Sequence, residues 1–437
     1  MGVSKRVWLE TYGCQMNKAE SESLLLDLAS DGWSEARSEA EADLVVLNTC
    51  SVRKTAEERV WGRLAFYRGA KRSRPFTLVL TGCMAERLKG TLSAEHPEVD
   101  VVLGTFQKKH LLAAVREAGG GGGPVLRAGE AEYDFAPMHS TGGARAFVPI
   151  MHGCDNFCSY CVVPYVRGRE VSRSPEEVLA EVRALEARGA REITLLGQNV
   201  NSYRHVGPDG TASFDGLLRM VAAVAGGIRW IRFLTSHPRD LSDAIVETMA
   251  SDARFCRHIH LPMQSGSDAV LARMNRGYAA DGYLRLVERI RESLSGAAIT
   301  TDILIGFPGE TEGDFRDTLS LMETVGFDDA FMYYYNPREG TPAFDMEDAL
   351  PDEVKLERLA AVIETQRRIS RLAAAKRLGQ RAAVLVEGVS KKDPGELLAR
   401  TEWDAMAVFP GAPSIIGSFA DVTLRSLSGN TYRASLA

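Results

Sequence analysis

Phe147-Val148-Pro149-Ile150-Met151-His152-Gly153-Cys154-Asp155-Asn156-Phe157-Cys158-Ser159-Tyr160-Cys161 joins a short apolar run to three cysteines. An apolar run of this length, closed by glycine, reads as a buried strand, so the cysteines fall in the loop at its C-terminal end. The alternation of strand and helix continues downstream. Strand candidates begin near Phe147, Ile193, Ile228, His258, Ile299 and Phe331, and helix candidates cover 174–188, 214–224, 240–250, 280–294 and 311–324. Ser174-Pro175-Glu176-Glu177 supplies an N-cap serine, a first-position proline and first-turn acids. Six such units predict a partial (β/α)6 barrel over residues 144–378, with its active site at the strand C-termini. The cysteine loop lies at that end.

Its spacing is Cys-x3-Cys-x2-Cys. Three thiolates within eight residues can wrap one cubane cluster and leave its fourth iron open. A small molecule carrying an amine and a carboxylate, such as the methionine end of S-adenosylmethionine, can chelate that iron. One electron passed into the sulfonium then breaks a carbon–sulfur bond and leaves a 5′-deoxyadenosyl radical. A zinc knuckle is the competing reading, but structural zinc wants four ligands, and only a neighbour such as His152 is at hand. The Cys-x3-Cys-x-aromatic-Cys motif, with Tyr160 as its aromatic, resembles the radical S-adenosylmethionine superfamily.

Upstream, Val7–Tyr12, Leu44–Asn48 and Thr77–Leu80 read as parallel strands, with helices near 18–30, 54–69 and 108–117. This predicts a doubly wound α/β domain over residues 1–118, followed by a glycine-rich linker, 119–143, around Gly119 to Gly123. Cys14, Cys50 and Cys83 each follow a predicted strand, and strand C-termini of an open α/β sheet line one crevice. They can therefore meet in space and hold a second cluster; any one of them alone reads more readily as a packed core residue, and the shared position of all three reverses that preference. Cys256 stands apart and reads as core.

Tyr12-Gly13-Cys14-Gln15-Met16-Asn17, Asn48-Thr49-Cys50-Ser51-Val52-Arg53 and Thr81-Gly82-Cys83-Met84-Ala85 resemble the N-terminal domain of the methylthiotransferases. The resemblance implies an auxiliary 4Fe–4S cluster on these three cysteines, beside the radical cluster on Cys154, Cys158 and Cys161. Leu195-Leu196-Gly197-Gln198-Asn199-Val200-Asn201 and Val163-Pro164-Tyr165-Val166-Arg167-Gly168 are similar to the branch acting on isopentenyladenosine of tRNA. The implied product carries a methylthio group on C2 of the base beside the anticodon, at position 37. The implied cofactors are two 4Fe–4S clusters and S-adenosylmethionine. The implied partners are the tRNA and an electron donor such as a flavodoxin or ferredoxin. A methylthiotransferase acting on a ribosomal-protein aspartate is the alternative within the class, and a non-catalytic iron–sulfur RNA-binding protein is the alternative outside it.

A helical stretch, 351–378, leads into five short strands within 379–437, a small OB-like β-barrel. Val384-Leu385-Val386-Glu387-Gly388 and Arg400-Thr401 resemble a TRAM domain, an RNA-binding fold, and Trp403 stands where Asn is usual. Tyr160, Gln198, Asn199, Ser236, Asp302 and Arg167 are expected to bind the cofactor, since all lie at or near strand ends; Arg167 reads also as an RNA-phosphate contact, and equally as a solvated surface arginine. Thr235-Ser236-His237-Pro238, Gln264-Ser265-Gly266-Ser267 and Gly306-Phe307-Pro308-Gly309-Glu310 fall at strand ends too, where part of them cap helices. Met332-Tyr333-Tyr334-Tyr335 can stack bases or fill the core.

Length and composition agree. At 437 residues the chain has room for about three domains of roughly 150 residues. Its net charge of −6 disfavours a large nucleic-acid footprint, so any RNA contact is expected to be local; the net +3 segment 351–380 reads equally as an RNA contact or a solvated helix face. An odd count of seven cysteines without an export signal disfavours disulfides and favours metal chemistry. No run approaches the length of a membrane helix. The expected protein is a cytoplasmic monomer without a membrane partner.

Overall fold

Leu44–Thr49 is buried along its whole length, and consecutive residues point to opposite faces of its sheet. Val45 and Leu47 pack on one face with Val60, Leu64 and Tyr67 of the helix Lys54–Ala70. Leu44 and Val46 pack on the other with Leu24, Leu28, Leu111 and Ala114 from the helices Gln15–Ser30 and Leu111–Gly119. This two-sided cover makes the N-terminal unit doubly wound, as expected. The computed structural model describes residues 5–51, 54–120, 123–129, 133, 135, 143–208 and 210–437. Val52 and Arg53, and most of 130–142, lie outside the described residues.

Across that sheet the order is Ser34–Glu35, Arg6–Thr11, Leu44–Thr49, Thr77–Gly82, Val101–Leu103, Val125–Arg127, all parallel. The order reverses between Arg6–Thr11 and Leu44–Thr49, and ligands bind at such a switch point, beyond the strand C-termini. Residues 119–143, expected as a linker, need a correction. Val125–Arg127 pairs with Val101–Leu103 as an edge strand, and Val125 is buried. Three residues carry too little periodicity to announce a strand.

Arg145–Pro149, Glu192–Leu196 and Trp230–Phe233 form one parallel set, and His258–His260, Ala298–Ile305 and Asp329–Tyr334 another. A parallel bridge from Ile231 to Phe255 joins the sets, so six strands run in sequence order around an open barrel. The helices Pro175–Ala187, Phe214–Val224, Asp243–Ser251, Ala280–Ser293 and Glu312–Val325 occupy the expected segments. Ser174 caps the first by accepting from the Glu177 amide. An exposed hairpin, Arg204–Gly207 with Gly210–Ser213, and a six-residue helix, Asp268–Arg273, were not legible in the sequence.

The helix Asp352–Ala375 buries Val362 and Ile369 against the barrel core. Beyond it, Arg381–Val389, Glu396–Thr401, Met406–Pro410, Thr431–Leu436 and Phe419–Ser428 close into a barrel in that order. Arg232 holds the two barrels together, donating at 2.8 Å to the carbonyls of both Thr401 and Glu402. Cys256 packs at the same seam with Trp230 and Leu385. Among the described residues, no helix is long and apolar enough to cross a membrane.

Candidate functional site

Cys50 follows its strand directly, Cys83 opens the short helix Cys83–Arg87, and Cys14 precedes the helix Gln15–Ser30. Cys14 and Cys50 therefore flank the switch point of the sheet. Asn17 ties these loops together: its amide donates to the carbonyls of Tyr12 at 2.8 Å and Thr49 at 2.9 Å, and the Cys14 thiol lies 3.7 Å from its Oδ1. Gly13 has a φ of +116°, and a Cβ there would stand 2.4 Å from Cys50 Cβ and 2.9 Å from its Sγ. Only glycine allows this approach. Gly13→Ala is expected to push the Cys50 thiol out of the trio and to halve the iron retained per chain after anaerobic reconstitution, measured by iron analysis.

The second trio lies in a clamped loop. Gly153, at φ +80°, passes within 2.0 Å of the Arg169 carbonyl at the position its Cβ would take. The Cys154 amide donates to the Gly168 carbonyl at 3.2 Å and the Ser159 amide to that of Met274 at 3.0 Å. Burial pushes the Cys154 and Cys161 thiols up to about 12. Such groups become thiolates only beside a cation, which deprotonates a coordinating thiol outright. Among the described residues no three His, Cys, Asp or Glu side chains meet at single-ion spacing. A cubane, whose irons are separate atoms, takes thiolates set further apart, and three-thiol donor sets fit that group.

One cavity of about 880 Å³ connects the units. Cys14 and Gln15 reach it from the N-terminal unit, Tyr160 from the cysteine loop, Thr235, Gln264 and Asp302 from barrel strand ends, and Trp403 and Tyr432 from the C-terminal barrel. Thr235 and Gln264 hold φ of +73° and +64°, strain of a kind that concentrates at binding sites. Just beyond the C-terminal ends of Glu192–Leu196 and Trp230–Phe233 lie buried polar atoms without a hydrogen-bond partner: Gln198 Oε1, Asn199 Oδ1, Asn201 Nδ2, Ser236 Oγ and His237 Nε2. Burial lowers His237 to about 2, so its ring is neutral. A buried group without a partner costs about 1–3 kcal/mol, and a polar ligand at this end of the barrel offsets that cost. These orphans fit a nucleoside bearing an amino acid.

The sequence-derived candidates separate accordingly. Asp302 and Tyr160 line the cavity, and Asp302 lies 3.3 Å from His260. Gln198, Asn199 and Ser236 supply orphaned atoms, while the Asn199 amide donates to Asp240 at 2.7 Å. Arg167 is corrected. Its guanidinium is buried between the barrel and the N-terminal unit, donating to Glu20 at 2.8 Å and Asn17 at 3.0 Å, which leaves it no free face for a phosphate. Ser267 caps the helix Asp268–Arg273, and Glu310 accepts from the Gly306 amide and Arg358, so that loop is structural. All four of 332–335 line the cavity; Tyr335 is buried and donates to the Ala343 carbonyl, whereas the other three are half-buried. Glu20, Asn17 and Arg276 went unread as site residues. Glu20 carried a faint signal, an acid one turn beyond the Cys14 word, and Arg276 carried none.

Residues 148–322 match the Radical SAM superfamily, 6–104 the Uncharacterized protein family UPF0004, and 375–437 the TRAM domain. The tRNA-2-methylthio-N(6)-dimethylallyladenosine synthase of Treponema denticola is 47% identical, over 98% of this chain and 99% of that protein. The protein of the same name from Moorella thermoacetica is 43% identical over 95% of this chain and 94% of its own length. Among solved structures, the radical S-adenosylmethionine methyltransferase TsrM from Kitasatospora setae aligns with a TM-score of 0.59 at 18% identity, covering 78% of this chain and 75% of that one. That likeness shows the fold. Full-length identity at this level and three matched families in one chain leave one assignment: the chain belongs to the radical S-adenosylmethionine methylthiotransferase family.

Proposed function

We propose that this enzyme adds a methylthio group to C2 of N6-isopentenyladenosine at position 37 of tRNA. The observation that carries the reading is one cavity reached by Cys14 of the first trio and by Tyr160, set between two cysteines of the second. When bound, two 4Fe–4S clusters and S-adenosylmethionine supply the methyl group and the radical chemistry, and the auxiliary cluster supplies or carries the sulfur.

The chain's own residues hold, orient and enclose. Cys14, Cys50 and Cys83 hold one cluster, and Cys154, Cys158 and Cys161 the other. Gln198, Asn199 and Ser236 direct their unpartnered atoms to the polar parts of S-adenosylmethionine. Asp302, an acceptor on the barrel wall, faces the base. The cavity is walled by three units, which keeps water from a radical. Domains at 1–118, 144–378 and 379–437 divide these tasks, with the N-terminal sheet extended by Val125–Arg127. The enzyme works in the cytoplasm as a monomer, with a flavodoxin or ferredoxin as electron donor.

For RNA the cavity offers Arg371 and Trp403, with Arg377 held behind them by Asp328. The Trp403 ring packs on the Arg377 guanidinium at 4.9 Å, a rigid platform for an unpaired base. Stacking on such a ring contributes about 1–3 kcal/mol per base. Trp403→Ala is expected to raise the tRNA Kd by a factor on the order of ten, and to leave S-adenosylmethionine cleavage without tRNA unchanged. Fluorescence anisotropy with an anticodon stem-loop checks it. The overall reading is tested by mass spectrometry of nucleosides from isopentenylated tRNA after reaction. The 2-methylthio nucleoside is expected, and its absence from tRNA together with a modified ribosomal protein overturns the substrate.

A further inference from the structure

Five arginines of the described residues are buried: Arg167, Arg173, Arg232, Arg276 and Arg358. Four have a glutamate beside them, respectively Glu20, Glu181, Glu192 and, for Arg358, Glu310. Arg276, 5% exposed, has no carboxylate within ion-pair distance among the described residues. A buried charge without a counter-ion is strongly unfavourable. Its guanidinium is instead fixed by neutral groups, Nε donating to Tyr278 Oη at 3.2 Å and Nη2 to the Pro262 carbonyl at 3.3 Å. The Tyr278 hydroxyl is anchored in turn, 2.8 Å from the Met263 carbonyl. The remaining arm, Nη1, donates to Cys158 Sγ at 3.2 Å.

We infer that Arg276 is the counter-ion of the cluster held by Cys154, Cys158 and Cys161, and that it sets the ease of reducing that cluster through its hydrogen bond to Cys158. The inference rests on the proposed cluster site. Three thiolates make the loop anionic, and each electron added makes it more so. A fixed cation on one sulfur favours the reduced state, because hydrogen bonds to the sulfurs and net charge set cluster potentials. Arg276 acts through Cys158 and is a positioning residue. The chain reaches it from the turn after Asp268–Arg273, the turn whose Met274 carbonyl also receives the Ser159 amide.

The test is a redox titration of the reconstituted full chain, followed by electron paramagnetic resonance without S-adenosylmethionine. The relevant signal is identified in a separate sample by its change when that cofactor is added. Arg276→Gln is expected to lower the equilibrium constant for one-electron reduction about tenfold, a shift of about 59 mV to more negative potential. Arg276→Lys, which keeps the charge, is expected to restore most of it. An unchanged potential in Arg276→Gln at full iron content overturns the inference and leaves the proposed function standing. If the glutamine variant loses its iron, the lysine variant decides: retention supports the counter-ion, and equal loss overturns it. A wild-type chain without a signal that responds to S-adenosylmethionine overturns the cluster site itself.

Discussion

Cys154→Ala is expected to abolish 5′-deoxyadenosine formation, whereas Cys14→Ala is expected to keep S-adenosylmethionine cleavage and lose the methylthio product. The reason is spatial. Cys154 belongs to the barrel loop and Cys14 to the switch point of a separate sheet, and each trio is built by its own glycine and its own backbone clamps. Removing one thiol leaves the other loop's contacts in place. Liquid chromatography of 5′-deoxyadenosine beside mass spectrometry of the tRNA nucleosides reads both functions in one reaction. If both variants lost both products while iron content fell only at the mutated trio, the division of labour between the sites would be wrong.

Glu20→Gln is expected to destabilise the seam between the N-terminal unit and the barrel by about 3–5 kcal/mol, the cost of stranding a buried charge. Two cations depend on this carboxylate. Arg167 donates to it at 2.8 Å, and Lys108 pairs with it from the sheet side. Burial pushes the Glu20 carboxyl up, but Arg167 and Lys108 together outweigh burial and hold it at about 2 against an ordinary 4.5. A carboxyl held below its unfolded value stabilises the folded chain at any pH above 4.5, and that contribution is lost as pH falls toward 2. In the wild type the loss should appear as weaker resistance to denaturant across that interval, and in Glu20→Gln the pH dependence should flatten. Arg167→Met should cost less, because Lys108 keeps its partner. Urea unfolding followed by tryptophan fluorescence measures all three.

Much of the site was legible because its chemistry is local in sequence. The loop from Gly153 to Cys161 announces itself by spacing, and a strand before it places it at a barrel's C-terminal end. The dispersed trio was legible for a different reason: in a parallel sheet, residues just beyond successive strands are neighbours, so periodicity implies proximity. The polar strand-end residues were legible only as a group. Which of them bond each other and which remain unpartnered depends on loops that no pattern specifies. Ser236 and His237 keep orphaned atoms, while Ser267 caps a helix and Glu310 bonds Arg358. Arg167 shows the limit clearly, since an arginine beside a cluster loop suggests an anionic ligand until Glu20, 147 positions away, is found against it.

By itself the sequence determined the three architectures and the family, because each is carried by spacing, period or identity along the chain. The tertiary structure alone decided how charge is distributed around the two trios. Arg167 is neutralised by a glutamate, and among the described residues Arg276 hydrogen-bonds only a thiol, a tyrosine and a carbonyl. Ion pairing in a low-dielectric interior is set by distances of a few ångströms between remote segments, and those distances exist only once the chain has folded.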